Sequence, residues 1–234
     1  MSRLLAVASA KGSPGCTFLA VGLAGYLAAR GVTALLVDAD AEEQGTAAYL
    51  DLPLGAATLR PAAAPLGLDA ETLRLASAPV GERLSCVRVP DLDGMSGAEL
   101  AAAARLTAEA VIVDLGHRAG RLQRELAAAA DWLVWVVVPD RLGLERADRV
   151  LARGELRAAS DGVVLNRLGR GCLKGAAALI AERHRLPVLA QLPNDSMAAL
   201  AGGSAHRRRR FSRGLQELAR CLHPAFPPVR RAWP

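Results

Sequence analysis

The sequence predicts a single α/β domain with a mostly parallel, twisted sheet and helices on both of its faces. Its apolar runs are short and continuous rather than alternating, which is typical of strands that are buried on both faces. Segments of helical length, rich in Ala, Leu and Arg, separate these runs, as in strand–helix–strand units. A chain of 234 residues that is 52% hydrophobic is large enough to form one such core.

A loop of small residues joins the first predicted strand, 4–7, to a helix predicted over residues 18–30. The loop sequence is Ala8-Ser9-Ala10-Lys11-Gly12-Ser13-Pro14-Gly15-Cys16-Thr17. Such a loop before a helix favours phosphate binding, because its backbone N–H groups and the helix dipole attract an anion. Lys11 is one of only two lysines among 29 basic residues. That bias favours a compact positive charge placed against a phosphate.

Polar side chains follow the later predicted strands. The strand over residues 32–37 is followed by Asp38 and Asp40, strand 110–113 by Asp114, and strand 162–165 by Asn166. Two more apolar runs, 132–138 and 188–192, end respectively at Pro139-Asp140 and at Pro193-Asn194-Asp195. Open α/β sheets bind ligands at the carboxyl ends of their strands, so a binding site is expected at this edge.

The region over residues 51–83 is predicted to be irregular. Four prolines interrupt it, at positions 53, 61, 65 and 79. Because proline breaks helices and central strands, only one short helix is expected there, over residues 69–75.

These motifs, in this order, resemble the MinD/ParA family of P-loop ATPases with a deviant Walker A, and most closely its divergent CpaE/TadZ-like branch. The family's loop is K-G-G-x-G-K-[ST]-[ST], and it is matched at Lys11, Gly12, Gly15 and Thr17. Ser13 replaces the second glycine, Cys16 the ordinary Walker lysine, and Phe18 the second hydroxyl residue. The resemblance implies a P-loop NTPase-type domain over residues 1–204 that binds ATP or ADP with Mg²⁺.

The resemblance also implies a set of site residues. The nucleotide-binding set is Lys11, Gly12, Ser13, Pro14, Gly15, Cys16, Thr17, Phe18, Asn166, Pro193 and Asp195. Thr17 and Asp114 would hold Mg²⁺. Lys11 and Asp40 would be catalytic, with Asp40 placing the attacking water or a metal-bound water.

Four residues have two possible interpretations each. Asp38 either belongs to a metal-linked switch or caps a turn, and Asn166 either contacts adenine or only ends a strand. Cys16 is interpreted as a small neutral replacement rather than a thiol nucleophile, because no histidine is near it in sequence. His117, beside Asp114, is interpreted as a loop residue rather than a general base.

The family's function would be a nucleotide-dependent positioning switch. ATP and Mg²⁺ would bridge a homodimer, with Lys11 of each subunit reaching the phosphates of the other. The partner would be a pilus or secretion apparatus, a division-site component or the chromosome.

The presence of Cys16 in place of lysine removes a charge-assisted hydrogen bond of about 1.5–3 kcal/mol. Loss of a preorganised charge lowers the reaction rate by a factor on the order of 10²–10³. Slow hydrolysis is therefore expected, and the alternative is a pseudo-ATPase scaffold that binds protein partners without turnover.

Positive charge is concentrated at the C-terminus. Residues 205–234 hold eight arginines and one glutamate, in a chain of formal net charge +6. This segment is predicted to be an arginine-rich helix, led by Arg207, Arg208, Arg209 and Arg210, followed by a proline-rich tail. Its arginines either bind DNA non-specifically, anionic lipid or an acidic protein, or form a solvated surface. Leu215, Leu218 and Leu222 form an apolar stripe that favours core packing over a membrane-targeting helix.

The sequence also predicts where the protein acts. Its four cysteines form no C-x-x-C pair, which fits a reducing compartment. The longest apolar run, residues 18–29, is shorter than the roughly 20 residues that span a bilayer. No transmembrane segment is expected, and the predicted location is the cytoplasm, with peripheral contact at the inner face of the membrane left open.

Overall fold

The computed structural model describes residues 2–10, 14–40, 45–53, 55–59, 68–90, 95–169, 171–195, 197 and 201–222. Within these ranges eight strands form one sheet in the order β3-β4-β2-β5-β1-β6-β7-β8. All neighbouring strands are parallel except β3 and β4. The strands are β1 Arg3–Ser9, β2 Ala34–Asp38, β3 Ala78–Pro79, β4 Leu84–Arg88, β5 Ala110–Gly116, β6 Trp132–Val137, β7 Ser160–Leu168 and β8 Val188–Pro193.

Helices connect the parallel strands, as parallel pairing requires. They are α1 Cys16–Ala28, α2 Gly45–Tyr49, α3 Ala70–Ala76, α4 Gly97–Thr107, α5 Arg121–Ala128, α6 Arg141–Arg153, α7 Ala176–His184 and α8 Arg209–Leu222, with a 3-10 helix at Gly202–Arg207. Several begin at a side-chain cap. Asp69 accepts a hydrogen bond from Thr72 N (2.8 Å), and Asp140 accepts one from Gly143 N (2.6 Å).

The two faces of the sheet carry separate apolar cores, because successive side chains on a strand point in opposite directions. Leu4 and Ala6 of β1 join the core that contains Leu100 of α4 and Leu144 of α6. Leu5 and Val7 join the other core, which is built from α1 and α8. The predicted α/β fold, with helices on both faces of a mostly parallel sheet, is confirmed.

Helix α1 is apolar on all sides, because it lies between the sheet and α8. Leu19, Leu23 and Leu27 are fully buried. Gly22 allows α8 to approach closely: a Cβ at this position would lie 2.9 Å from Phe211 Cε1. Phe211, Leu215 and Leu218 of α8 are also buried. The stripe on α8 thus packs into the core, as predicted; the side chain of its third member, Leu222, lies outside the described residues.

The irregular region differs in part from the prediction. The short helix expected over residues 69–75 is present as Ala70–Ala76. Strands β3 and β4 were not predicted, because β3 has only two residues and β4, Leu-Ser-Cys-Val-Arg, mixes polar with apolar residues. In the described parts of the chain, no helix is both long and apolar enough to cross a membrane.

Candidate functional site

The loop after β1 lies near the middle of the sheet, where β1 is flanked by β5 and β6. Its described part is Ala10 and then the buried Pro14 with Gly15, which leads directly into α1. Gly15 has φ 101°, in the left-handed region that favours glycine, and its carbonyl accepts the first helical hydrogen bond, from Leu19 N (2.9 Å). Lys11, Gly12 and Ser13, predicted to bind nucleotide, lie outside the described residues.

Three aspartates lie together at the carboxyl ends of β2 and β5. Asp38 and Asp114 are directly opposite each other in the parallel pairing of these strands. The exposed fractions of Asp38, Asp40 and Asp114 are only 2%, 8% and 0%. Asp38 Oδ1 accepts a hydrogen bond from Asp40 N (3.1 Å), and Asp114 Oδ1 accepts one from Gly116 N (3.1 Å). The structure therefore brings the predicted switch, water-positioning and metal-binding carboxylates into one buried cluster.

Two further residues hold this cluster in place, and neither was predicted. Gln123 of α5 is buried, and its Nε2 donates to the Ala39 carbonyl (2.8 Å), while Ala39 N donates to the Asp114 carbonyl (2.9 Å). Gly116 has φ 66°, and a Cβ there would overlap the Asp40 carboxylate. Gly116 could have been suspected from its place two residues after Asp114, whereas a glutamine inside a helix gave no signal.

Burial sets the protonation of the cluster. The pKa of Asp114 is raised to about 7, mainly by burial and also by the charges of Asp38 and Asp40. The Thr17 hydroxyl and the Gly116 N–H act in the opposite direction. Burial likewise raises the pKa of Asp38 to about 6, opposed mainly by the nearby Thr46 hydroxyl. A cation placed here would relieve both carboxylates.

Thr17 and Asp114 fit the requirements of a magnesium site. Asp114 Oδ2 is buried and, among the described residues, has no hydrogen-bond partner. An orphaned buried carboxylate oxygen is costly unless a ligand satisfies it. Mg²⁺ in nucleotide sites is held through one or two protein oxygens together with phosphates and water. The predicted metal pair therefore lies in one place, with an open acceptor.

Cys16 is the first residue of α1, and it is only 5% exposed. Burial, followed by the charge of Asp114, raises the pKa of its thiol well above the ordinary value. A thiol with a raised pKa is a poor nucleophile, because the thiolate is the reactive form. This geometry supports the interpretation of Cys16 as a neutral replacement for lysine.

Phe18 is partly buried and packs against the core that contains α1 and α8. Its ring lies 4.6 Å, centroid to centroid, from that of Phe211 and 5.9 Å from that of Tyr49. The side chain that replaces the family's second hydroxyl thus joins α1 to α2 and α8.

Asn166, in β7, contacts the loop directly. Its Nδ2 donates to the Pro14 carbonyl (2.7 Å), and its Oδ1 accepts from Arg167 N (2.8 Å). The side chain is 4% exposed. It occupies the space that a Cβ at Gly15 would fill.

The other predicted residues lie farther along the same edge. Pro193 ends β8, four strands from β5, and Asp195 follows it. Asp195 Oδ2 lies 3.8 Å from Arg208 Nε. Arg207, Arg208, Arg209 and Arg210 are all exposed, at the junction of the 3-10 helix and α8. His117 is half-buried in the loop after β5.

Comparison with known proteins gives a family match over most of the chain. Residues 5–206 match the family described as the CobQ/CobB/MinD/ParA nucleotide binding domain. A search of curated protein sequences gives no significant match.

Solved structures share the fold. The chain is similar to a ParA family ATPase from Chlorobium tepidum TLS, with TM-score 0.77 and 20% identity over 94% of this chain and 99% of that one. It is similar to the septum site-determining protein MinD complexed with Mg-ADP from Pyrococcus horikoshii OT3, with TM-score 0.71 and 18% identity over 95% and 96% of the two chains. It is also similar to the MinC:MinD cell division complex of Aquifex aeolicus, with TM-score 0.72 and 16% identity over 98% and 99%.

Proposed function

Because the chain belongs to the CobQ/CobB/MinD/ParA family of nucleotide-binding domains, we propose that it is a MinD/ParA-type dimeric switch of the CpaE/TadZ-like branch, controlled by ATP and Mg²⁺. The observation that carries the proposal is the buried Asp114, whose Oδ2 lacks a partner among the described residues while the Thr17 hydroxyl lies beside it. This arrangement is incomplete without a cation, and a cation there needs phosphate oxygens to complete its shell.

Each part of the proposed site has a separate role. The backbone of the loop up to Gly15 and the N-terminus of α1 bind the phosphates. Thr17 and Asp114 hold Mg²⁺, which neutralises phosphate charge when it is bound. Asp40 positions water. The neighbouring Ala39, whose backbone is hydrogen-bonded to Gln123 and to Asp114, keeps Asp40 in position. Lys11 reaches the phosphates of the second subunit. Asp38, hydrogen-bonded to Asp40 N, transmits the state of the site to the segment that follows β2.

Hydrolysis is slow in this proposal. Cys16 is buried and neutral where the family has lysine, so one preorganised positive charge is missing near the transferred phosphoryl group. The protein then stays in its nucleotide-bound form for long periods, which suits a cytoplasmic or membrane-peripheral positioning factor for a pilus, secretion or division apparatus. Complex formation with a protein partner has a precedent in the similar MinC:MinD structure.

Two observations favour other functions. The aromatic contacts of Phe18 and the neutral Cys16 suit a pseudo-ATPase scaffold, which keeps the fold for partner binding alone. The four exposed arginines Arg207–Arg210 suit a partition protein that binds DNA non-specifically.

Equilibrium binding of a fluorescent ATP analogue, with and without Mg²⁺, tests the proposal. We expect micromolar affinity that depends on Mg²⁺, and we expect Thr17→Ala to remove most of that dependence. Thr107→Ala is the matched control, since the Thr107 hydroxyl only caps the Ala104 carbonyl in α4 (2.8 Å). Absence of binding at millimolar nucleotide would instead favour the scaffold.

A further inference from the structure

We propose that Asn166 is a brace for the phosphate-binding loop, meaning that its side chain holds the loop backbone in position through the Pro14 carbonyl. Its contribution to nucleotide affinity then does not depend on the base. Asn166 and Pro14 are 152 positions apart in sequence, yet the Asn166 amide donates to the Pro14 carbonyl at 2.7 Å. The contact joins β7 to the loop between β1 and α1.

The amide of Asn166 is held at both of its ends. Its Oδ1 accepts from Arg167 N at 2.8 Å, and only one orientation of the amide satisfies a carbonyl on one side and an N–H on the other. Arg167 itself has φ 59°, a conformation that L-residues rarely adopt. The pairing of β7 with β8 also shifts register between Leu165 and Leu168. Both irregularities lie next to Asn166 in β7.

The contact controls the direction of a backbone donor. The peptide unit between Pro14 and Gly15 is planar and trans, so its C=O and N–H point in opposite directions. Holding the Pro14 carbonyl on Asn166 therefore fixes where the Gly15 N–H points. Gly15 takes φ 101°, and any larger residue would collide with the Asn166 amide. Residues 14, 15 and 166 form one unit that presents the end of the loop to its ligand.

This role differs from reading a base. If Asn166 contacted the base, its substitution would weaken the binding of ATP but not of ligands without adenine. If Asn166 is a brace, its substitution weakens the binding of every ligand that the loop holds by its phosphates. The ligand part of the inference rests on the nucleotide site proposed above. The brace itself is testable without any ligand, through the backbone amides of the loop.

The test uses the full chain with Asn166→Ala and with Asn166→Asp, which keeps the side-chain shape but turns an acceptor toward the Pro14 carbonyl. Asn194→Ala, at the exposed asparagine after β8, is the control. Amide hydrogen exchange is measured without nucleotide. We expect both Asn166 variants to exchange at least about 3-fold faster in peptides covering residues 14–19, with β5 peptides and the control unchanged.

Calorimetry then compares Mg²⁺ complexes of ATP, GTP and inorganic tripolyphosphate. We expect Asn166→Ala to weaken all three by a similar factor of about 3- to 10-fold, the loss of one hydrogen bond. Unchanged loop exchange, or a loss confined to ATP, would overturn the brace. If the unsubstituted chain binds none of the three ligands, the proposed nucleotide function fails, and the exchange experiment alone decides the brace.

Discussion

At the scale of single residues, the buried aspartates determine how the molecule responds to pH. A carboxylate with no exposed surface, such as Asp114, is stable in the fold only if it is protonated or if a cation satisfies it. The Asp38–Ala39–Asp40 segment and Gln123 keep the cluster in position without neutralising it. Unfolding experiments in the absence of metal therefore report directly on this site.

Replacing Asp114 by Asn should abolish part of the pH dependence of stability. The folded-state pKa of Asp114 is about 7 against an ordinary 3.8, so the folded chain binds this proton more tightly than the unfolded chain. The free energy of unfolding then falls as pH rises from about 4 through about 7. At pH 8 in EDTA, we expect the variant to be more stable than the unsubstituted chain by on the order of 1–4 kcal/mol.

Urea denaturation at pH 5 and pH 8 measures this difference. Asp140→Asn is the control, because Asn caps a helix as well as Asp does and Asp140 only caps α6. Parallel pH profiles for Asp114→Asn and the unsubstituted chain would show that this carboxylate is not the buried acid described here.

Cys16 is the residue that most separates this loop from an ordinary one. Cys16→Lys restores a cation at the start of α1, beside Asp114 and Asp40. We expect nucleotide affinity to rise about 10- to 150-fold, since a charge-assisted hydrogen bond adds about 1.5–3 kcal/mol. Cys172→Lys adds the same charge elsewhere and should leave affinity unchanged. Weaker binding by Cys16→Lys would mean that position 16 does not face the phosphates.

At the scale of elements, α8 belongs to the core. Phe211 is 1% exposed, and its ring contacts that of Phe18. Phe211→Ala should therefore lower the free energy of unfolding by about 3–5 kcal/mol. The exposed neighbour Arg210, changed to Ala, should alter it by less than about 0.5 kcal/mol. A loss below about 1 kcal/mol for Phe211→Ala in denaturant titrations would mean that α8 is not packed as described.

The elements show how far a sequence predicts its fold and site. Strands β1, β2, β5, β6, β7 and β8 were predictable, because burial on both faces demands continuous apolar runs. Strand β4, which lies next to the edge strand β3, mixes polar with apolar residues and has no such run. The aspartates at the ends of β2 and β5 were predicted to lie at one binding edge, because the carboxyl ends of parallel strands share it. The Asn166–Pro14 and Gln123–Ala39 contacts were not predicted, since each joins distant segments through geometry that no local pattern encodes.

At the scale of the whole molecule, the exposed arginines of residues 207–210 form a concentrated positive surface. If they bind duplex DNA with three or four phosphate contacts, log affinity plotted against log salt should have a slope near −3. Replacing all four with Ala should weaken binding to every sequence alike and flatten that slope. Four exposed arginines on α6 and in the segment just after it serve as the charge-matched control: Arg141, Arg149, Arg153 and Arg157. No duplex binding at about 50 mM salt with ATP would leave protein or lipid as the partner.

In the proposed function, nucleotide controls the association of two chains, and light scattering of the full chain measures that association. With Mg²⁺ and ATP we expect the molar mass to rise from that of one chain to that of two, and to stay at one chain when nucleotide is withheld. Lys11→Ala should abolish the dimer, whereas Lys174→Ala, at the only other lysine, should not. A molar mass that does not respond to nucleotide, or a dimer that survives Lys11→Ala, would show that the protein is not the nucleotide-dependent dimeric switch proposed here.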